Sequence, residues 1–361
     1  MLMNSLRIVW FSAMLLLLTL TADGQTRKFS NEFLSIGVGA RALGMAGSQV
    51  ASVNDATAGY WNPAGLLGVQ SDLQVAAMHS EYFAGIANYD FAAFAKGVDS
   101  TQAIGVSFIR FGVDDIPNTT QLIDANGIID FDRVTRFSAA DYAFVLSYAR
   151  QLKPGLDFGV NAKVIHRTVG DFADAWGFGL DAGLTYRYKE WIFAAMGRDI
   201  TTTVNAWNYS LDEATQDVFA VTGNELPENG TEITLPKFTL GAARYFRFGQ
   251  KVDLLTELSL DVTTDGQRNT LISADPISVD PRFGIECSVN RLIFIRGGIG
   301  NFQEVQPFPD VREWTFQPNF GIGIQLKNLA LDYALTDIGD QSVALYSNVF
   351  SLRLDIYKPD S

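Results

Sequence analysis

Apolar and polar residues alternate along many segments of this chain, and this two-residue rhythm limits the folds that it can adopt. In residues 178–188 every second residue is apolar, and these are Phe178, Leu180, Ala182, Leu184, Tyr186 and Tyr188. Successive side chains of a β-strand point to opposite faces, so such a segment has one apolar face and one polar face. The pattern recurs along residues 156–164, 252–262 and 350–356, which predicts an all-β protein.

The connections between these segments are as informative as the segments themselves. About fourteen strands follow residue 70, most of them near the ~10 residues that a tilted strand needs to cross a bilayer. Short links alternate with long ones, the long ones being residues 112–137, 198–236, 263–281, 301–314 and 337–346. Short turns at one end and long loops at the other are typical of a transmembrane antiparallel β-barrel, so we expect outer-membrane lipid around residues 71–361. A large periplasmic β-protein is the alternative, since it also explains the alternation.

The first 24 residues have the features of a signal peptide. Arg7 precedes an apolar run over residues 8–20, and the small residues Ala22 and Gly24 follow at the spacing of a cleavage site. The run is shorter than the ~20 residues of a membrane-spanning helix. We therefore expect export through Sec, with a mature chain that begins near Gln25.

Composition excludes several classes of function. The chain has 27 basic and 40 acidic residues in 361, for a net charge of −13, which does not suit a nucleic-acid partner. A single cysteine, Cys287, rules out a disulfide framework, and the two histidines, His79 and His166, lie on different predicted strands. We expect no metal, no cofactor and no enzymatic activity.

Residues 25–70 do not alternate and are rich in glycine and alanine. Closely spaced glycines allow backbone to pack against backbone, and a barrel of fourteen strands has an interior that its own side chains do not fill. We therefore predict that this segment is a plug inside the lumen. A phosphate-binding loop is not favoured, because no Lys-Ser/Thr pair follows the glycines. The candidate plug residues are Gly37, Gly39, Arg41, Gly44, Gly47, Asn54, Asp55, Asn62 and Pro63.

Polar residues on the predicted strands should face the lumen. These are Asp157, Lys163, Asp181, Glu257, Glu286 and Arg353. Charges in a confined space must be paired or hydrated, and Arg41 of the plug is a candidate partner for Glu257 or Glu286. A hydrated polar lumen without specific pairing is the alternative.

The long loops hold the candidate partner-binding residues, which are Asp114, Asp115, Asp124, Asp130, Trp207, Phe219 and Phe308. The acidic loop at residues 112–138 is either a calcium site or a solvated loop. Residues 210–213, Ser-Leu-Asp-Glu, match a capping box and predict a short helix near Trp207.

Two stretches carry a family resemblance. Residues 39–66, GARALGMAGSQVASVNDATAGYWNPAGL, resemble the N-terminal signature of the PorV/PorQ family of Bacteroidota, which is related to the FadL transporters. The Asn-Pro-Ala step at residues 62–64 is shared with FadL-like proteins more widely. Residues 112–133, GVDDIPNTTQLIDANGIIDFDR, are similar to PorV-like members in particular. The resemblance implies a fourteen-stranded barrel with an N-terminal plug.

The resemblance also implies what the protein does. PorV-like proteins are non-enzymatic shuttle or accessory subunits of type IX secretion and cell-surface attachment. The expected partners are the secretion translocon barrel, C-terminal sorting domains of cargo, or surface lipoproteins. The alternatives are a FadL-like transporter of hydrophobic small molecules, in which lipid or detergent would occupy the barrel, and a scaffold subunit of another outer-membrane complex.

Overall fold

The computed structural model describes residues 30–123, 128–308, 311–336 and 346–358, and these residues form sixteen β-strands. In chain order they are β1 (Leu73–Tyr82), β2 (Ala87–Asp99), β3 (Gln102–Asn118), β4 (Thr135–Lys153), β5 (Leu156–Val169), β6 (Ala173–Tyr188), β7 (Trp191–Arg198), β8 (Thr203–Tyr209), β9 (Gly230–Thr234), β10 (Lys237–Phe248), β11 (Val252–Thr263), β12 (Ser278–Val289), β13 (Ile293–Phe308), β14 (Val311–Leu326), β15 (Leu329–Thr336) and β16 (Ser347–Ile356). The predicted signal peptide lies outside the described residues.

The strands form one closed antiparallel barrel. β1 pairs with both β2 and β16, which closes the ring. β7 and β8 lie end to end along β6, and β10 and β9 pair with them in turn. Each of these two end-to-end pairs is one barrel strand with a break in it, so the sixteen segments make a barrel of fourteen strands. This confirms the predicted fold class. No helix among the described residues is long and apolar enough to cross a bilayer.

The two faces of the barrel wall differ as the alternation predicts. Inward side chains such as those of Asp157, Lys163 and Asp181 are buried, whereas outward ones such as Phe178 and Leu184 are exposed. An exposed apolar outer surface around a closed sheet is the arrangement that places strands in lipid, because no backbone edge is left unpaired.

The two ends of the barrel also differ. At one end, called the short-turn end, β2–β3, β4–β5 and β6–β7 are joined by two residues each. At the other, called the long-loop end, residues 119–134, 210–229 and 264–277 make long connections. The prediction of a loop at 301–314 was wrong in detail, because β13 and β14 pair almost to their tips at Phe308 and Val311. A hairpin with water on both faces keeps its backbone pairing but loses its apolar alternation, which is why the sequence pattern missed it.

A helix lies in the longest connection, where one was predicted. This helix, α3 (Glu213–Thr222), begins two residues later than the start that a capping box at Ser210 predicts. The Thr215 backbone N–H donates to Asp212 Oδ1 at 2.8 Å, so Asp212 is the N-cap and Ser210 is not. Asp is among the strongest N-cap residues, which explains why it takes this position.

Residues 30–68, called here the N-terminal segment, lie against the inward face of the wall. The segment contains two one-turn helices, α1 (Ala40–Leu43) and α2 (Ala58–Trp61), and two 3₁₀-helices, Glu32–Ser35 and Pro63–Gly68. It meets the wall at glycines of several strands. A Cβ at Gly159 of β5 would lie 2.3 Å from Ala64 N, and one at Gly298 of β13 would lie 2.3 Å from the Met45 carbonyl carbon. Glycine is therefore required at these two wall positions, because the segment backbone occupies the space of a Cβ.

Two neighbouring glycines of β13 provide a matched test of this packing. Gly298 faces the segment, whereas a Cβ at Gly297 would meet nothing closer than 3.7 Å. We expect Gly298→Val to destabilise the folded barrel by about 1–3 kcal/mol, because the added methyl groups overlap the segment backbone. Gly297→Val should change stability little.

Unfolding in urea, followed by the heat-modifiable migration of the barrel on gels, measures both variants. Equal loss of stability in the two variants would contradict the close approach of the segment at Gly298.

Candidate functional site

Arg41 of the N-terminal segment forms the central ion pair of the lumen. Its guanidinium donates to Glu286 of β12 through Nε at 2.9 Å and through Nη2 at 3.0 Å. Arg296 of β13 also donates to Glu286, at 2.6 Å, and to Asp332 of β15 at 2.7 Å. Because Arg–carboxylate pairs with two parallel hydrogen bonds are strong and directional, this chain of charges fixes α1 against β12 and connects it to β13 and β15.

The second carboxylate predicted as a partner for Arg41 has another role. Glu257 of β11 is fully buried, and its two oxygens accept hydrogen bonds from the backbone N–H groups of Ala51, at 2.7 Å, and Ser52, at 3.0 Å. Backbone N–H groups that are exposed to solvent donate to water, and here the buried carboxylate accepts these hydrogen bonds instead. Glu257 therefore holds the segment through the segment's backbone.

Asp55 is held by two arginines. Arg353 Nη1 of β16 lies 3.2 Å from Asp55 Oδ2, and Arg41 Nη1 lies 4.0 Å from the same oxygen. Burial by itself would raise the pKa of the Asp55 carboxyl, but the positive charges of Arg353 and Arg41 outweigh it and hold that pKa below its ordinary value. Asp55 is therefore ionised at neutral pH and attaches the segment to β16.

Asn62 and Pro63, the first two residues of the Asn-Pro-Ala step, form the start of the 3₁₀-helix Pro63–Gly68. Asn62 Oδ1 accepts from Ala64 N at 3.1 Å, and Pro63 takes the first helical position, where its missing N–H leaves no donor unsatisfied. The Asn62 amide also donates to Thr185 Oγ1 of β6 at 3.0 Å. One asparagine thus caps the helix and binds the wall.

Cavities lie on both sides of the N-terminal segment. One of about 370 Å³ opens toward the long-loop end and is lined by Phe111, Arg282 and Asn319 among others. Another of about 340 Å³ opens toward the short-turn end beside Asp157 and Arg187, which form an ion pair. The segment lies between these two spaces, so within the described residues the lumen is divided rather than open from end to end.

The barrel wall is interrupted next to a third cavity. The strands pair regularly on both sides of the break. Arg198 is opposed to Lys237 on one side, and Thr203 is opposed to Thr234 on the other. Between them, the described residues 199–202 and 235–236 do not pair with each other across the two strands. Pro236 has no N–H to donate to a ladder, and Asp199 has a left-handed backbone with φ 53°. A cavity of about 80 Å³ lies directly inside the break.

Charged groups line this third cavity. Lys163 Nζ of β5 lies 2.8 Å from Asp181 Oδ1 of β6 and 2.6 Å from Asp199 Oδ1 in the break. Arg198 donates to the backbone oxygens of Leu34 and Tyr60, and its guanidinium carbon lies 4.3 Å from the Tyr60 ring centroid. The break is therefore tied to both the wall and the N-terminal segment.

The structure brings together some predicted site residues and not others. Arg41, Asp55, Glu286 and Arg353 form one network, whereas Lys163 and Asp181 belong to the cavity at the break. The predicted glycines and Asn54 lie along the same segment: Gly37, Gly39, Gly44, Gly47 and Asn54, the last accepting from Arg41 at 3.0 Å.

The candidate loop residues do not form one surface. Asp114 pairs with Arg110 at 3.1 Å, and Asp130 pairs with Arg133 at 3.2 Å. The remaining ones are spread over other elements: Asp115 in β3, Trp207 in β8, Phe219 in α3 and Phe308 at the end of β13. Trp207 packs against the wall, since its Nε1 donates to Glu232 of β9 at 2.9 Å and the Arg167 guanidinium carbon of β5 lies 5.0 Å from its ring. Asp124 lies outside the described residues, and calcium binding by the acidic loop stays a prediction.

The break in the wall was not predicted. The sequence predicts one long loop over residues 198–236, in which Arg198 and Asp199 would be the first residues. Pro236 was the available signal, because proline in a strand marks an edge or an interruption.

The ion pair between Arg41 and Glu286 can be tested with a matched control. We expect Arg41→Ala to destabilise the segment by about 1.5–3 kcal/mol, because a buried charged acceptor loses two hydrogen bonds. Arg133→Ala removes an exposed pair and should cost about 0–1 kcal/mol. Limited proteolysis of the folded barrel measures the release of the segment. Equal resistance of Arg41→Ala and the unaltered protein would show that the pair does not retain the segment.

Comparison with solved structures finds the same fold in several other proteins. The chain is similar to the toluene transporter TodX of Pseudomonas putida (TM-score 0.54, 14% identity, 89% of this chain and 98% of TodX). It is also similar to the monoaromatic hydrocarbon channel CymD (TM-score 0.54, 12% identity, 90% and 98%) and to a FadL homologue of Pseudomonas aeruginosa (TM-score 0.51, 11% identity, 87% and 97%). No family model and no curated protein matches the chain. The shared feature is the fold, that of a FadL-like outer-membrane β-barrel.

Proposed function

We propose that this protein carries small hydrophobic molecules through the outer membrane. The observation that carries the proposal is the break in the wall at residues 199–202 and 235–236, with a cavity directly inside it. A closed ladder offers no path between lumen and lipid, because every backbone group in it is paired. A local break beside a cavity supplies such a path.

The lining of the cavity fits a molecule with an apolar body. Apolar side chains from the N-terminal segment, the wall and the break contribute to it, namely Leu34, Ile109, Val145, Ile233 and Leu235. Lys163 and Asp199 lie at its polar side and are already paired with each other. Polar and apolar residues contribute about equally to the lining, and small-molecule sites use such polar groups to orient a ligand whose apolar body lies against the apolar side.

The N-terminal segment would act as the gate of this route. It closes the direct path along the lumen and also contributes Leu34 and Tyr60 to the cavity at the break. A shift of this part of the segment would enlarge the cavity without breaking the ion pairs of Arg41, which lie on other strands. The solved transporters of similar fold support this assignment, since TodX is described as a toluene transporter and CymD as a hydrocarbon channel.

Filling the cavity tests the transport function. Leu235 lines the cavity, whereas Leu240 of β10 faces outward to lipid. We expect Leu235→Trp to reduce uptake of labelled toluene or fatty acid several-fold in cells that lack other transporters, because the larger ring occupies the route. Leu240→Trp should leave uptake unchanged. If cells that produce the unaltered protein take up no more of the labelled molecule than cells without it, the protein does not transport that molecule.

A second candidate function is that of a PorV-like subunit of type IX secretion, acting through protein partners. It is favoured by apolar side chains on the loop between β3 and β4, where Ile123 is 62%, Ile129 57% and Phe131 75% exposed. Exposed apolar groups close together are a common mark of a protein-binding surface. This loop also carries the sequence that resembles PorV-like proteins.

Affinity purification separates the second candidate from the first. We expect the unaltered protein to retain cargo sorting domains or a large translocon barrel, and Phe131→Ser to lose them while keeping uptake of hydrophobic molecules. Leu271→Ser, on a different exposed loop, serves as the control. Recovery of neither class of partner with the unaltered protein would contradict the secretion role.

A further inference from the structure

Arg244 of β10 lies on the outward face of the barrel without an acidic partner. It is directly opposed to Trp191 of β7, an exposed outward residue, and opposed residues of a ladder point to the same face. Within the described residues its Nε atom is buried without a hydrogen-bond partner, and no carboxylate forms an ion pair with it. Arg110 of β3, which also faces outward, is paired with Asp90 and Asp114.

Two aromatic rings position the Arg244 guanidinium. Its central carbon lies 5.1 Å from the centroid of the Trp191 ring and 4.7 Å from that of the Phe246 ring. An arginine against aromatic rings gains cation–π energy and keeps N–H groups available as donors. The two Nη groups, unlike Nε, are not buried. The result is a positioned cation that lacks an anion, and a partly buried charge is costly without one.

The aromatic residues around Arg244 place it at a membrane surface. Tyr188 and Tyr186 of β6 are opposed to Trp191 and Phe193 of β7, and all four side chains are exposed on the outward face. Belts of Tyr and Trp mark the level of the lipid headgroups. Trp191 is also the first residue of β7, directly after a two-residue turn. Arg244 therefore lies at headgroup level, at the short-turn end.

The strand ends around Arg244 carry an excess of positive charge. Arg187 belongs to the lumen, where it pairs with Asp157. The other charged residues at the short-turn ends of β6, β7 and β10 to β13 are Lys189, Arg247, Lys251 and Arg291, with the acidic Glu190 and Asp253. Asp253 lies within ion-pair distance of Arg247 and Arg291. Basic residues at a membrane surface attract anionic headgroups.

An apolar face continues from Arg244 along the same two strands. Its opposed pairs are Ala242 with Phe193, Leu240 with Ala195, and Phe238 with Gly197. From Arg244 to Phe238 this face is about 20 Å long along the strand, or about 15 Å along the membrane normal at a tilt of ~40°. That is about half of the ~30 Å hydrocarbon core of a bilayer, the depth of the acyl chains of one leaflet.

We propose that Arg244 binds the phosphate of a phospholipid in the leaflet at the short-turn end, with the acyl chains along the apolar face of β7 and β10. The guanidinium fork matches the geometry of a phosphate group. Thr256 of β11 is opposed to Arg244 on the same face, so its hydroxyl offers a further donor. A phospholipid matches both the charge and the apolar face, whereas free inorganic phosphate matches the charge alone.

The phospholipid site does not rest on the proposed transport or secretion functions. It lies at one end of the paired strands β7 and β10, and the break in the wall lies at the other, next to Arg198 and Lys237. Lipid binding is measured on the purified protein, so a failure of uptake or of cargo binding would leave the proposal intact.

Lipid binding by the purified, delipidated barrel tests the proposal. Native mass spectrometry counts the phosphatidylglycerol molecules that stay bound to the folded protein as this lipid is titrated into the detergent. We expect Arg244→Gln to weaken binding of the first lipid several-fold, because the phosphate loses its charged donor. Arg312→Gln removes an exposed arginine near the tip of β14 and should bind lipid as the unaltered protein does.

Trp191→Leu, which keeps the charge but removes one of the two rings, should also weaken binding, and heat-modifiable migration identifies the folded fraction of every variant. Equal binding by Arg244→Gln and the unaltered protein would overturn the proposal. An equal loss in Arg244→Gln and Arg312→Gln would also overturn it, since it would show attraction by net charge alone. Displacement of the lipid by millimolar inorganic phosphate would assign the site to a free anion and overturn it as well.

Discussion

Close contact between the N-terminal segment and the inner wall is the constraint on which the rest of the structure depends. A fourteen-stranded barrel encloses more space than its own inward side chains fill, so something else must occupy it. Here glycines on the wall, such as Gly159 and Gly298, let the segment backbone approach, and the ion pair of Arg41 with Glu286 fixes its position. Without the glycines the segment would not fit, and without the ion pairs the buried carboxylates would lack partners.

The distribution of charge follows from this arrangement. The chain carries a net charge of −13, yet its buried lumen carboxylates meet either a cation, as Glu286 and Asp55 do, or backbone N–H groups, as Glu257 does. The alternative of an unpaired hydrated lumen is therefore not what these residues form. The same polar contacts that hold the segment make the direct path along the lumen unsuited to an apolar molecule. The break in the wall is the feature that reconciles this polar interior with the proposed transport of hydrophobic molecules.

The alternation of apolar and polar residues was sufficient to predict the barrel, its number of strands and the side of the wall to which most residues belong. It was insufficient where other interactions decide the structure. Residues 293–295 are all apolar, so alternation does not show which of them face inward. The pairing of the next residue, Arg296, with Glu286 places Arg296 on the inward face and so sets the orientation of the others. The break at residues 199–202 depends on left-handed backbone and on contacts with the N-terminal segment, which no local pattern encodes.

The position of the segment across the lumen is the central claim, and a pair of engineered cysteines tests it most directly. Ser48 Oγ of the segment lies 3.1 Å from Ser259 Oγ of β11. In a background with Cys287→Ser, the double variant Ser48→Cys and Ser259→Cys should form a disulfide in the assembled protein, visible as a change in migration on non-reducing gels. Two free thiols that react with small reagents in the folded barrel would contradict the account.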